Sequence, residues 1–155
     1  MSACTFIASN APLPEAEPQK EYPLFIDLDH NTVWDGDADD NYFLIPFKDP
    51  SFDFSRYTDK KYGVSLEWRY TEGRAEQILA YIGRALEKDE NVEIWRVWLS
   101  DFYDYEESPV VKKRVLSWKD LTVNDLRETD EADLWNHPDP HYPDRPSFYC
   151  LVIER

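Results

Sequence analysis

Apolar residues recur along this chain with two different periods. In YGVSLEWRY (62–70), Val64, Leu66, Trp68 and Tyr70 alternate with Ser65, Glu67 and Arg69, the two-residue repeat of a strand with one wet face. The period then changes. In TEGRAEQILAYIGRALEK (71–88), Ala75, Ile78, Leu79, Ile82 and Leu86 fall at helical spacings, with Thr71 placed as a cap and Glu72 near the positive end. This spacing predicts one long helix, about 72–88, lying against a sheet.

Further strands are expected at CTFIAS (4–9), at LFIDLD and TVW flanking His30-Asn31, and at NYFLIPF (41–47). Asn tolerates the positive φ of a tight turn, so the second and third of these read as a hairpin. VEIWRVWLS (92–100) and PVVKKRVLSW (109–118) predict a second hairpin around the acidic loop DFYDYEES (101–108). Ser117 and Thr122 both stand where a cap would, each with an Asp three residues on, ahead of a short helix over about 119–128. The last strand, SFYCLVIE (147–154), is apolar on both faces and belongs in the middle of a sheet or under cover on both sides. NAPLPEAEPQKEYP (10–23), with four prolines, reads as an extended surface connector. KDPSFDFSRYTDKK (48–61) reads as irregular structure with aromatic anchors. Strand and helix do not alternate throughout, which argues against a doubly wound sheet. The expectation is a single α+β domain over 1–155, with a mostly antiparallel sheet of six to eight strands, one long helix and one short one.

Charge narrows the partners. The 155 residues carry 32 acidic and 17 basic side chains, a net charge of −15. Nucleic-acid binding through phosphate neutralisation and attraction to anionic membrane are both disfavoured, whereas basic proteins are drawn in. The opening MSACTFIASNAPLPE has no basic residue ahead of its apolar run, unlike a secretory signal, and no stretch nears the ~18 apolar residues of a membrane span. A cytoplasmic location follows as the expectation. Cys4 and Cys150 lie within apolar strand-like runs; they could close one disulfide, but reduced core thiols are the better reading without a signal.

Three motifs invite chemistry. FIDLDHNT (25–32) resembles the nucleophile motif of haloacid-dehalogenase-type phosphatases, in which a strand ends in Asp-x-Asp-Gly-Thr. The resemblance implies Asp27 as nucleophile and Asp29 as acid/base around a magnesium ion, because carboxylates two apart at a strand end can share a metal. His30-Asn31 replaces the glycine and adds a residue, and the downstream Lys and parallel sheet are missing, so a turn between strands is the favoured reading. DGDADDNYFLIP (35–46) sets Asp35, Asp37 and Asp39 at calcium-loop positions, but Asp40 stands where the glycine belongs and Pro46 where the glutamate belongs. HPDPHYPD (137–144) brings His137 and His141 beside Asp139 and Asp144, ligand types for a transition metal, though its prolines forbid the helix that would align them. The simpler reading is an ordered loop packed by Trp135 and Tyr142. No glycine loop or serine elbow is present, so no residue is assigned a catalytic or metal-binding role and no cofactor is implied.

Acid mixed with aromatic is what remains. Residues 27–59 hold nine acids against Lys48 and Arg56, and 101–107 hold four acids with Phe102, Tyr103 and Tyr105 and no base. Trp34, Asp35, Asp37, Asp39, Asp40, Phe102, Tyr103, Tyr105 and Glu106 are therefore the candidate surface for Lys or Arg of a basic protein partner, through cation–π contact and ion pairing. Immunity-type partners of toxins and DNA mimics share this charge and size, an analogy that names no residue. The alternative is a metal-dependent hydrolase using Asp27/Asp29 or the His137/His141 loop. The opening MSACTFIASNAPLPE also resembles an uncharacterised family of small bacterial proteins that begin Met-Ser-Ala-Cys-Thr-Phe-Ile-Ala-Ser and continue into Pro-Leu-Pro, which implies a compact bacterial protein and no activity.

Overall fold

The computed structural model describes residues 3–16, 25–30, 32–34, 47–98, 110–134 and 140–155, with the backbone alone at 25–27 and 32–34. Along these residues run β1 (Ala3–Ser9), β2 (Phe25–Asp27), β3 (Thr32–Trp34), β4 (Phe47–Lys48), β5 (Tyr62–Leu66), α1 (Glu72–Leu86), β6 (Asn91–Trp98), β7 (Val111–Ser117), α2 (Val123–Asp130) and β8 (Phe148–Glu154). Six strands make one sheet in the order β4-β5-β1-β6-β8-β7, and β2 and β3 pair apart from it as a hairpin. Every neighbouring pair is antiparallel except β7 and β8. The α+β class and the mostly antiparallel sheet match the sequence expectation. Among the described residues no helix is long and apolar enough to cross a membrane.

One expected hairpin does not form. β6 and β7 are not neighbours, because β8 lies between them, antiparallel to β6 and parallel to β7. The reason is burial. Phe148, Tyr149, Cys150, Leu151, Val152 and Ile153 are all buried, so this strand needs a sheet neighbour on each side and a layer on each face. β7, which carries Lys112, Lys113 and Arg114, is polar enough to stand at the edge, where charged side chains also discourage pairing with other chains. A parallel pair cannot be joined by a tight turn, and α2 lies in the connection from β7 to β8.

Both helices cover one face. Ile78, Tyr81, Ile82 and Leu86 of α1 and Leu126 of α2 pack with Ile7, Val64, Leu66, Ile94, Leu151 and Ile153 of the sheet. Thr71 caps α1 by accepting from the Arg74 N–H at 3.2 Å, as its position predicts. Gly83 sits mid-helix because the Trp118 ring occupies the space a Cβ would take, 3.0 Å away. The short helix begins later than expected, at Val123; Trp118–Asp120 form a 3-10 turn, and the Asp125 carboxylate accepts from the Thr122 N–H at 2.8 Å.

The other face is covered by the aromatic anchors of the irregular segment. Phe52, Phe54 and Tyr57 pack on Phe6, Trp95, Phe148 and Cys150, with the Tyr57 and Phe148 rings edge-on at 5.1 Å. The strand expected over 62–70 ends at Leu66, yet Trp68 and Tyr70 still pack on the helix-side core. The described part of the connector is less superficial than its prolines suggest. Ala11 is buried, Ala16 bridges to Phe47, and the Pro14 carbonyl accepts from the Tyr81 hydroxyl at 2.6 Å. Residues 41–46 of the expected third strand lie outside the described residues.

A buried ion pair pins this connector to the sheet. Asp89 Oδ2 accepts from the Ser9 hydroxyl at 2.9 Å, the Asn10 N–H at 2.7 Å and Lys60 Nζ at 3.2 Å, and Lys60 also donates to the Asn91 carbonyl. The two side chains are 8% and 11% exposed. Burial works against the Asp89 carboxylate, but the Asn10, Ser9 and Lys60 donors outweigh it and hold its pKa below the ordinary carboxylate range. Asp89→Ala strands a buried ammonium and is expected to cost about 3 kcal/mol in urea unfolding at neutral pH. Since the folded pKa lies below the unfolded one, this contribution is complete above the ordinary carboxylate range and disappears as pH falls through the depressed folded value. The acid limb of the stability curve should therefore be shallower in Asp89→Asn than in the parent.

Both cysteines are free, Cys150 buried and Cys4 half-buried. Burial pushes Cys4 up to about 11 and Cys150 up to about 12, with Glu93 adding to the latter. A disulfide reagent at mildly alkaline pH should react slowly with both thiols of the folded chain and rapidly with both in denaturant.

Candidate functional site

The strand order that puts β7 at the edge opens a groove beside it. Its volume is about 920 Å³, and it is lined by Lys112 of β7, Glu128 of α2, Glu131, Ala132 and Asp133 just beyond, Tyr149 of β8, and the 141–146 run His-Tyr-Pro-Asp-Arg-Pro. Four carboxylates and two permanent cations face it. The alternation of β7 turns Lys112 and Arg114 towards the helices, so its basic triplet is shared between the two faces.

Arginine organises the back of the groove. Arg114 donates to Glu128 at 2.5 Å, to Asp125 at 3.1 Å and to the Tyr149 hydroxyl at 3.3 Å, tying α2 to the sheet. The Tyr149 bond, with Asp125 and Glu128 behind it, holds the guanidinium pKa above its ordinary value. Partial burial disfavours the Asp125 carboxylate, but the Thr122 N–H and hydroxyl and Arg114 outweigh it and lower its pKa. At the rim, Arg145 donates twice to Asp133 Oδ2, at 2.9 and 2.6 Å, and its guanidinium lies 5.4 Å from the Tyr142 ring centroid. Arg127 repeats the arrangement, donating to Glu131 at 3.0 Å and lying 5.6 Å from the Tyr70 ring. Lys112 Nζ lies 5.6 Å from the Tyr149 ring. The surface thus already holds guanidinium groups between a carboxylate and a tyrosine face.

Sequence reasoning found one wall of this groove for a different purpose. His141 and Asp144, offered as metal ligands, both line it. Their proposed companions His137 and Asp139 lie outside the described residues, and among those described no group of three or more His, Cys, Asp and Glu is placed to hold a metal. Tyr142 was expected to pack the loop inward; instead it is 61% exposed, standing against Arg145. Tyr142 stays out because the run over 142–146, with two prolines and two charges, has too little apolar area to fold back, while Trp135, its expected companion, lies outside the described residues.

The Asp27–Asp29 motif sits on a backbone unlike that of the phosphatases it resembles. β2 turns through 28–30 and returns antiparallel as β3, with Asp27 opposite Thr32 and Asp29 exposed. The motif needs a strand running on into a helix. Of the candidate binding surface, Asp35, Asp37, Asp39, Asp40, Phe102, Tyr103, Tyr105 and Glu106 lie outside the described residues, as does the side chain of Trp34.

Comparison with known proteins finds no matching family model, no matching curated relative and no matching solved structure. Geometry and charge therefore carry the functional reading.

Arg114→Met removes three charge-assisted or polar bonds and is expected to lower stability by about 2 kcal/mol in denaturant unfolding, with Arg114→Lys recovering only part because an ammonium cannot span Asp125, Glu128 and Tyr149 together.

Proposed function

We propose that the protein acts by binding rather than by catalysis, and that its partner is a basic protein whose arginine or lysine side chains enter the groove beside β7. The observation that carries this reading is the lining itself, four carboxylates to two cations, with Glu128 held by Arg114 and Asp144 left over. Arg145 is engaged by Asp133, Glu131 is engaged by Arg127 at the exposed helix end, and Asp144 makes no ion pair among the described residues. Tyr142 and Tyr149 add ring faces, and the two prolines stiffen the wall. A guanidinium arriving from outside would meet the chemistry that Asp133 and Tyr142 already offer Arg145. The net charge of −15 would speed such an encounter, and salt would slow it.

An arginine-rich peptide titrated by fluorescence anisotropy at low ionic strength tests this. Glu131→Gln with Asp144→Asn should weaken binding about fivefold, and Tyr142→Ala about threefold. Glu87→Gln with Glu90→Gln removes equal charge from the far end of α1 and should leave binding nearly unchanged. Equal losses for the two charge pairs, or no binding even at low salt, would sink the groove as the contact surface.

A further inference from the structure

Four buried side-chain atoms among the described residues have no hydrogen-bond partner: Trp68 Nε1, Arg96 Nε, Trp98 Nε1 and Ser147 Oγ. Buried polar groups are nearly always satisfied, so even one asks for a cause. These four are not scattered. Arg96 and Trp98 are two apart on β6 and share the face that bears the helices. The Val97–Phe148 pairing sets Ser147 opposite Trp98, and Ala3 is the partner of Trp98 on the other side. Trp68 follows β5 and packs on the helix-side core with Ala3 and Tyr70, its ring 6.5 Å from that of Tyr70. Tyr70 N–H and Arg96 are joined through one carboxylate: Asp130 Oδ2 accepts from Tyr70 at 2.8 Å, while Asp130 Oδ1 stands 3.6 Å from Arg96.

The chemistry of the cluster is one-sided. Two indole N–H groups and a guanidinium N–H can only donate, and the Ser147 hydroxyl can join them. Arg96 already donates to the Thr5 hydroxyl at 3.0 Å, and its nearest carboxylate lies beyond hydrogen-bond length, so its charge is only partly answered. A water accepts two bonds and brings two hydrogens that need acceptors of their own. A group with oxygens and no hydrogens can accept from each of these donors without bringing hydrogens of its own. Ser147 is fully buried, while the Arg96 side chain keeps 20% exposure, which leaves a way in from solvent.

We propose that this end of the sheet is an oxyanion site, taking a carboxylate, sulfate or phosphate group between Trp68, Arg96, Trp98 and Ser147. It is distinct from the acidic groove and of opposite preference.

The test uses the full chain labelled with 15N and titrated with acetate, sulfate and inorganic phosphate at constant ionic strength, with chloride as the balancing salt. The indole N–H resonances of Trp68 and Trp98, assigned from Trp68→Phe and Trp98→Phe, should both move in a saturable way with at least one of these ions. The same ion should raise the melting temperature beyond the chloride control. Trp98→Phe keeps an aromatic ring while deleting the donor, and should weaken binding about tenfold. Ser147→Ala should do so to a lesser degree. Arg96→Met should abolish binding, and the tryptophan variants decide the matter if that one does not fold. Indole resonances that stay still for all three ions would overturn the proposal, leaving bound water as the occupant. Stabilisation matched by chloride would overturn it too, as screening of the acidic chain.

Discussion

Six consecutive buried residues in β8, Phe148 to Ile153, constrain everything else in this molecule. A strand apolar on both faces cannot lie at an edge or under a single layer. It needs hydrogen-bonded neighbours on both sides, which β6 and β7 supply, and cover above and below, which come from two helices and from Phe52, Phe54 and Tyr57. Each such side chain contributes roughly 1.5–3 kcal/mol by leaving water. No local turn preference competes with that sum. The parallel β7–β8 pair follows, then the long connection through α2, and then the groove that this connection leaves beside the edge strand.

Much of this could be read locally and some could not. The change of period near residue 70, the Thr71 cap, the aromatic anchors of the irregular segment and the two-sided final strand are properties of short windows, and the structure repeats them. The β6–β7 hairpin was a neighbour-in-sequence inference. It fails because strand order is decided by which strand most needs burial, and Lys112, Lys113 and Arg114 yield the inner place to Leu151 and Val152. The groove was illegible for a related reason. Its lining comes from residue 112, from 128–133 and from 141–149, three stretches that only the crossover brings together. Asp144 and His141 were visible as reactive types, but nothing in HPDPHYPD announces that Glu128 and Glu131 will face them. The orphaned donors were equally hidden, since Trp68, Arg96, Trp98 and Ser147 meet through sheet register alone.

Scarce cations shape the electrostatics. With 17 basic side chains against 32 acidic ones, a described lysine or arginine placed inside the fold tends to be a tie between elements. Lys60 joins its loop to Asp89 and to the start of β6, and Arg114 joins β7 to α2. Exposed pairs of this kind contribute little, whereas the half-buried ones fix geometry. Removing cations from the surface to serve these ties leaves carboxylates outside in excess.

Where that excess gathers is informative. Glu128, Asp130 and Glu131 stand in the last turn and at the cap of α2, the negative end of the helix dipole, where carboxylates are disfavoured by a few tenths to about 1 kcal/mol each. Arg114, Arg127 and Arg96 lie against them and offset part of this repulsion. A helix selected for stability alone would end in lysine or arginine with no acids to neutralise. Here the acids face two ways from one helix end, Glu128 and Glu131 into the groove and Asp130 towards Arg96 and Tyr70. The helix terminus therefore separates a surface suited to cations from a cluster of unanswered donors suited to oxygen.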